Sequence, residues 1–343
     1  MNIKRVGIDL AKQVFQVHGV DNHDKAVLRK QLKRGQFLSF FAGLPPCLIG
    51  LEACGGAHHW ARELQKLGHN VKLMAPQFVK PYVKGNKNDA NDAEAICEAV
   101  GRPTMRFVPI KTTAQQDLRA IHRIRSELLR QRTAKANQIG GLLTEYGLVV
   151  GKQVATLRRA LPGLLEDAEN GLSFGFRALL EDLRQDLVRL DKRVVETDKK
   201  VHALAHSETA AIRLQGIPGI GPVIATALLC AVGDGKQFKR GRDMAAWLGL
   251  TPRQHSSGGK DRLLGISKRG DTYLRTLLIQ GAKSALNVIG NKTDPRSLWL
   301  KALCCRRHKN IAVVALANKN ARIAWALLRN ETDYLPAGKP AQS

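Results

Sequence analysis

IKRVGIDL at residues 3–10 and CLIGLEA at residues 47–53 decide how the amino-terminal third reads. The first is apolar at Ile3, Val6 and Ile8 and runs into an acid, Asp9. The second has the unbroken apolar run of a buried strand and also ends on an acid, Glu52. Between them, VFQVHGV (14–20) and AVLRKQLK (26–33) read as strands after polar turns, with Asp21-Asn22-His23-Asp24 as a hairpin connection. A helix fits 35–43 and another fits 57–67, closed by Gly68. A strand then fits 70–75, a helix 89–100 and extended chain 104–110. Three strands in a meander followed by alternating helices and strands predict an α/β layer on a mixed sheet.

That order is the one expected of an RNase H-like fold, and it gives the acids a purpose. Asp9 and Glu52 sit at the carboxyl ends of apolar strands, where parallel neighbours would bring them to one edge of the sheet. Asp89 and Asp92, three apart, share a face in the first turn of a helix. Hard divalent cations prefer carboxylate oxygens, and two such ions about 3.5–4 Å apart stabilise both oxygens of a phosphodiester displacement. Taken singly, Asp89 or Asp92 reads equally as a partner of the helix dipole, and Asp9 as a turn cap. All four together favour metal-assisted cleavage of a phosphodiester.

The charge balance names the polymer. Lys and Arg number 55 against 29 Asp and Glu, a formal net charge of +26. Such an excess repels itself unless a polyanion neutralises it, which makes nucleic acid the leading partner and an anionic membrane surface the weaker one. No window reaches the run of about 18 apolar residues that spans a bilayer, and the start of the chain lacks a signal peptide's apolar core. The six cysteines are scattered, and Cys54 near His58 and His59 matches no zinc spacing. They read as reduced thiols in a cytoplasm.

A chain of 343 residues suggests two or three domains. From 112 to 147, Leu118, Ile121, Leu128, Ile139, Leu142 and Tyr146 suit one face of a long basic helix. A second long helix at about 176–205 carries a heptad seam through Leu183, Leu187, Leu190, Val194, Thr197, Val201 and Leu204. Its partner is either the 112–147 helix in an antiparallel hairpin or the same helix of another subunit. IPGIG at 217–221 reads as a helix-hairpin-helix whose Gly219 and Gly221 let backbone N–H groups approach a phosphate, or as a plain connector. TPRQHSSGGKDRLLGISKRG, 251–270, reads as a loop in which Arg253, His255, Lys260, Arg262, Lys268 and Arg269 surround Ser256 and Ser257. Arginines there would hold phosphate oxygens and a serine could attack phosphorus, but the chemistry alone favours a flexible DNA-binding loop. Helices follow at about 271–288, 296–305 and 310–329. The expected boundaries are 1–111, 112–207 and 208–333, with a disordered tail at 334–343.

GIDLAK, LEACGG, NKNDANDAEAI, IPGIGPVIA, WLGLTPRQHSSGG and ISKRGD together resemble the insertion-sequence 110 family of transposases, in the wording of its 1111 subgroup. Piv-type DNA invertases are relatives. The resemblance runs from about residue 3 to 330. It implies a RuvC-like nuclease domain, a helical coiled-coil insertion and a mainly α-helical transposase domain. It also implies a metal-binding tetrad of Asp9, Glu52, Asp89 and Asp92, holding Mg²⁺ or alternatively Mn²⁺. The family's serine precedes a glycine shortly after LTPR, which selects Ser257 before Gly258, with Ser256 one residue earlier. Further implications are a phosphoserine link to DNA, a non-coding bridge RNA that pairs with donor and target duplexes, and a homo-oligomer from dimer to tetramer with composite sites. The setting implied is the bacterial cytoplasm, at the nucleoid. The runner-up is a RuvC-like nuclease in which metal-activated water attacks. A nucleic-acid-binding protein with a degenerate nuclease fold is the third reading, against which the intact tetrad argues.

Overall fold

The computed structural model describes residues 3–85, 88–151 and 153–336. The chain divides into two compact units, Met1–Ala114 and Gln115–Ser343. In the first, β1 (Arg5–Leu10), β2 (Val14–Val20) and β3 (Ala26–Lys33) form an antiparallel meander. Then come α1 (Phe37–Ala42), β4 (Leu48–Glu52), α2 (Ala57–Lys66), β5 (Asn70–Met74), the short α3 (Pro76–Val79), α4 (Asp89–Val100) and β6 (Phe107–Val108). The sheet order is β3-β2-β1-β4-β5-β6, with β1, β4 and β5 parallel and β6 antiparallel at the edge. This is the mixed α/β sheet expected.

Alternation along the strands sorts the two faces. Val6, Ile8, Ile49 and Leu51 point to one side, where Phe37 and Phe41 of α1 and Trp60 and Leu64 of α2 complete the core. Phe15, Phe37 and Trp60 meet edge to face there, with Phe15 and Phe37 centroids 4.7 Å apart. The other side carries Gly7 and Gly50, directly paired across β1 and β4. A Cβ on Gly7 would lie 2.2 Å from the Cys97 nitrogen and 2.3 Å from the Ala93 oxygen, both backbone atoms of α4. One on Gly50 would lie 2.8 Å from the Val100 Cβ. The two glycines thus form a flat patch for α4, which lies backbone to backbone on Gly7 and sets the Val100 side chain over Gly50. Arg5 fastens the far end of that helix by donating from Nε to the Cys97 oxygen at 3.0 Å.

The second unit contains α5 (Thr113–Glu145, beginning at the boundary), α6 (Val154–Glu166), α7 (Phe174–Ser207), α8 (Thr209–Gln215), α9 (Pro222–Val232) and α10 (Gly241–Trp247). A hairpin of β7 (Pro252–Ser257) and β8 (Lys260–Ile266) follows, then α11 (Thr272–Asn287), α12 (Pro295–Arg306) and α13 (Lys309–Asn330). α5 and α7 run antiparallel, tied by Arg125 to Asp198, Arg132 to Asp191 at 3.5 Å and Lys135 to Asp186 at 3.1 Å. The seam on α7 therefore finds a partner within the chain. Ile139 and Leu143 of α5, Leu157 and Leu161 of α6, and Phe176, Leu180 and Leu187 of α7 form one core. Farther along, Ala205 joins the main core with Leu214, Leu228, Leu248, Leu278 and Leu316.

α13 is the one helix among the described residues long and apolar enough to cross a membrane, but half of its apolar stretch is buried. Leu316, Ala317, Ala321 and Ala324 are packed in the core, as in an ordinary central helix. Tyr334 packs on the same core. Residues 337–343, where most of the expected disordered tail falls, lie outside the described residues.

A buried polar link joins α5 to α9 and α11. Thr226 donates its hydroxyl hydrogen to the Pro222 oxygen at 2.8 Å, so it accepts from His122 Nε2 at 3.0 Å. That leaves Nδ1 of His122 to accept from the Tyr273 hydroxyl, also at 3.0 Å. Burial, aided by the charge of Arg125, pushes the His122 imidazole down to about 4. The unfolded chain then binds more protons than the folded one between about pH 6.5 and 4, so this contribution to stability is full above pH 6.5 and lost as pH falls toward 4. Urea midpoints measured at pH 7 and pH 4.5 should fall more steeply for the wild type than for His122→Gln; equal slopes would refute the assignment.

Candidate metal centre and nucleic-acid interface

Asp9 and Glu52 each follow one of the paired glycines by two residues, so they share the sheet face that α4 covers. The parallel register that pairs Ile8 with Leu51 places the two acids side by side at the strand ends. Opposite them, Asn88 caps α4 by accepting from the Asn91 N–H at 2.8 Å, which sets Asp89 and Asp92 in the first turn. One carboxylate oxygen each from Asp9, Asp89 and Asp92 lies within 4.8 Å of the others. Glu52 stands on the neighbouring strand outside that group. It nevertheless shares surroundings with Asp9: burial pushes the Cys54 thiol up, and the charges of Glu52 and then Asp9 push it further.

Three carboxylates this close repel one another, and the α4 terminus contributes about half a positive charge toward offsetting them. A divalent cation bound among them would relieve the rest of that repulsion. The donors are all oxygen, which suits Mg²⁺ or Mn²⁺ and not the sulfur and imidazole preferences of zinc.

In the second unit, the IPGIG segment forms the turn between α8 and α9. Gly219 has a φ of 92°, and a Cβ there would lie 2.6 Å from the Gly281 oxygen of α11. Its lack of a side chain thus serves internal packing. Gly221, just before α9, has open space where a Cβ would stand. Arg296 and Asn320 hold the turn from behind, donating to the Pro218 oxygen at 2.6 and 3.2 Å.

Residues 251–270 correct the expectation of a loop. They build a two-stranded ribbon, because Gly258 and Gly259 take positive φ (55° and 76°) as a two-residue type I′ connection requires. Its root is rigid. A Cβ on Gly249 would meet the Arg269 oxygen at 2.1 Å, and one on Gly270 the Trp247 oxygen at 1.9 Å. The buried Arg275 locks these segments, donating from Nη1 to the Leu248 and Arg269 oxygens and from Nη2 to Thr272 Oγ1. Lys268 and Arg269 belong to this root, whereas Arg253, Lys260 and Arg262 stand on the exposed ribbon.

Register separates the two serines. Ser256 opposes Asp261 and donates to its Oδ1 at 2.6 Å, while Gln254 Nε2 donates to the same carboxylate at 3.0 Å and to Ser256 Oγ at 2.7 Å. Those hydrogen bonds hold the Asp261 carboxyl below its ordinary range. Ser257 opposes Lys260, and His255 opposes Arg262, on the other face of the ribbon. The tetrad lies in the first unit and Ser257 in the second. Gly7, Gly50, Asp261 and Arg275 escaped the sequence reading; of these, only the Gly-Gly turn beside Asp261 carried a local signal.

Residues 211–297 match the family model described as "Transposase IS116/IS110/IS902 family", and residues 6–148 match a DEDD-type model of insertion sequence 110 described as "Transposase". The chain is 54% identical to a "Probable family 20 transposase" of Pseudomonas aeruginosa, over 98% of this chain and 100% of that one. It is 47% identical to the "Transposase for insertion sequence element IS1111A" of Coxiella burnetii, over 97% and 92%. To the "Transposase for insertion sequence element IS1328" of Yersinia enterocolitica it is 43% identical, over 97% and 99%.

Proposed function

The chain belongs to the IS116/IS110/IS902 family of transposases, enzymes that cleave and rejoin DNA, and from that premise we propose that it recombines DNA through Ser257 under the guidance of an RNA. The observation that carries the cleavage part is the convergence of Asp9, Asp89 and Asp92 within 4.8 Å, beside Glu52. These four residues would hold Mg²⁺, or Mn²⁺ in its place, which supplies charge stabilisation for the phosphate under attack. Ser257 supplies the nucleophile. Its oxygen joins phosphorus as the strand's own P–O bond breaks, and a strand from the partner duplex later displaces the serine. Bond energy is conserved through the phosphoserine link, so religation needs no added nucleotide.

The preference for Ser257 over Ser256 rests on the ribbon. The Ser256 hydroxyl is already committed to Asp261, whereas Ser257 shares its face with Lys260 and Arg262, which are suited to phosphate oxygens. Arg253 extends the same charged surface, with Lys268 and Arg269 at the root. Gly221 opens the turn of a helix-hairpin-helix to the DNA backbone, and Gly219 keeps that turn close-packed. The guide, a bridge RNA pairing with donor and target duplexes, is supported by the family resemblance and by a net charge of +26, ample for two polyanions. We assign residues 1–111 to the nuclease part, 112–207 to a coiled-coil part and 208–333 to the transposase part. Val188 and Val195, exposed and seven apart on α7, offer a face for assembly into dimers and tetramers.

The acidic cluster equally fits water as nucleophile, and trapping separates the two. A nicked suicide duplex carrying the abutted ends of the encoding element, incubated with the protein and its co-purified RNA, should yield a covalent protein–DNA adduct that disappears in Ser257→Ala and persists in Ser256→Ala. Hydrolysed ends without an adduct would establish the water mechanism.

A further inference from the structure

The ribbon presents two chemically different faces. Gln254, Ser256 and Asp261 are hydrogen-bonded to one another, which fixes them on one side. Strand alternation then places His255 and Ser257 together on the other, opposite Arg262 and Lys260 respectively. Every residue of β7 is exposed, so that second face is open to a ligand. It carries the fixed cations Lys260 and Arg262 and one imidazole, with Arg253 continuing the charge along β7, and its only hydroxyl is that of Ser257. The side chains of residues i and i+2 on a strand stand about 6.6 Å apart at their roots, close enough for an imidazole to lean onto a neighbouring hydroxyl.

We infer that His255 is the proton-transfer group for Ser257, with Lys260 and Arg262 holding the scissile phosphate over the pair; this rests on the serine reading above. A serine hydroxyl is a weak nucleophile until a base takes its proton, and imidazole is the side chain that exchanges protons near neutrality. The Oγ–phosphorus bond forms as the strand's P–O bond breaks. The Oγ proton passes to His255 and returns through solvent to the departing strand oxygen, so none is consumed. Religation reverses the path. The charged groups near His255 are Arg262 and Lys260 of β8 and Arg253 of its own strand; Asp261, the one acid of the ribbon, is held on the opposite face. That acid disfavours phosphate on its own side, so the ribbon approaches DNA with the His255 face foremost.

The test measures adduct formation on the suicide duplex from pH 5.5 to 9, with duplex affinity measured separately. His255→Ala should slow the adduct by about a hundredfold to ten-thousandfold, the usual contribution of a positioned base, and flatten the acidic limb of the wild-type profile. Affinity should change by less than about twofold, and added imidazole should restore part of the rate. His255→Ala with the wild-type rate and profile removes this inference alone. A loss confined to affinity also overturns it, reducing His255 to a phosphate contact. Absence of any adduct in the wild type removes the serine reading, and this assignment with it.

Discussion

Asp92→Asn will cut strand cleavage by about a thousandfold or more while duplex binding stays within about twofold. The substitution keeps the side chain's shape and removes one of three charges that meet within 4.8 Å. A metal ion placed at a phosphoryl oxygen is worth several kcal/mol in the transition state, and each 1.36 kcal/mol is about tenfold in rate. The fold should tolerate the change. Asn88, not Asp92, caps α4, and the Asp92 N–H bond to the Asn88 oxygen involves backbone alone. Loss of one acid from a helix's first turn costs about 0.3–1 kcal/mol. A cation that binds only the folded protein also raises its stability. Thermal unfolding of the wild type should therefore shift upward with Mg²⁺ or Mn²⁺, and that shift should shrink in Asp92→Asn. Cleavage near the wild-type rate would show that Asp92 merely partners the helix dipole. Failure to bind duplex would show that the acids are structural.

Why those acids were legible in sequence, and their support was not, has a physical reason. Strands covered on both faces, as β1 and β4 are, read as nearly continuous apolar runs, and in each of these the run stops at an acid. Asp9 and Glu52 were therefore visible, as were Asp89 and Asp92 at their helical spacing. What brings α4 over the strands is a pair of glycines, and a glycine's need for space depends on what crosses it, which no local pattern encodes. The same holds for Gly219, whose conformation suggested a phosphate approach but whose space is filled by Gly281.

The ribbon at 252–266 failed for a different cause. Its strands are almost wholly exposed and lack apolar alternation, so only the Gly258-Gly259 turn could have announced it. α6 was missed although Leu157, Leu161, Leu164 and Leu165 lie at helical spacing, because Pro162 and Gly163 interrupt the pattern. For α7 the seam was plain, but the sequence left its partner open. The ion pairs from Arg125, Arg132 and Lys135 identify that partner as α5, because their order reverses along α7.

Gly7→Ala tests the support directly, and it should disable the centre without touching an acid. The added methyl would fall 2.2 Å from the Cys97 nitrogen, 2.3 Å from the Ala93 oxygen and 2.7 Å from the Cys97 Cα. All three are backbone atoms, so no rotamer change relieves the clash. Ordinary carbon contacts begin near 3.5 Å, so α4 must retreat by about 1 Å and take Asp89 and Asp92 with it. Displacements of that size cost about a hundredfold in rate where geometry is set by positioning, and overpacking a core costs about 1–3 kcal/mol or more. The urea midpoint and the cleavage rate should fall together, and the stabilisation by divalent cation should weaken. Gly35→Ala is the control, since a Cβ there meets nothing within 4 Å, and it should change neither. Gly50→Ala belongs between the two. Its Cβ would meet the Val100 Cβ at 2.8 Å and the Met74 Cε at 3.1 Å, and the methionine end can swing aside where a helix backbone cannot. Were Gly7→Ala to retain both stability and cleavage, α4 would not be seated on β1 as described, and the grouping of Asp89 and Asp92 with Asp9 would lose its physical basis.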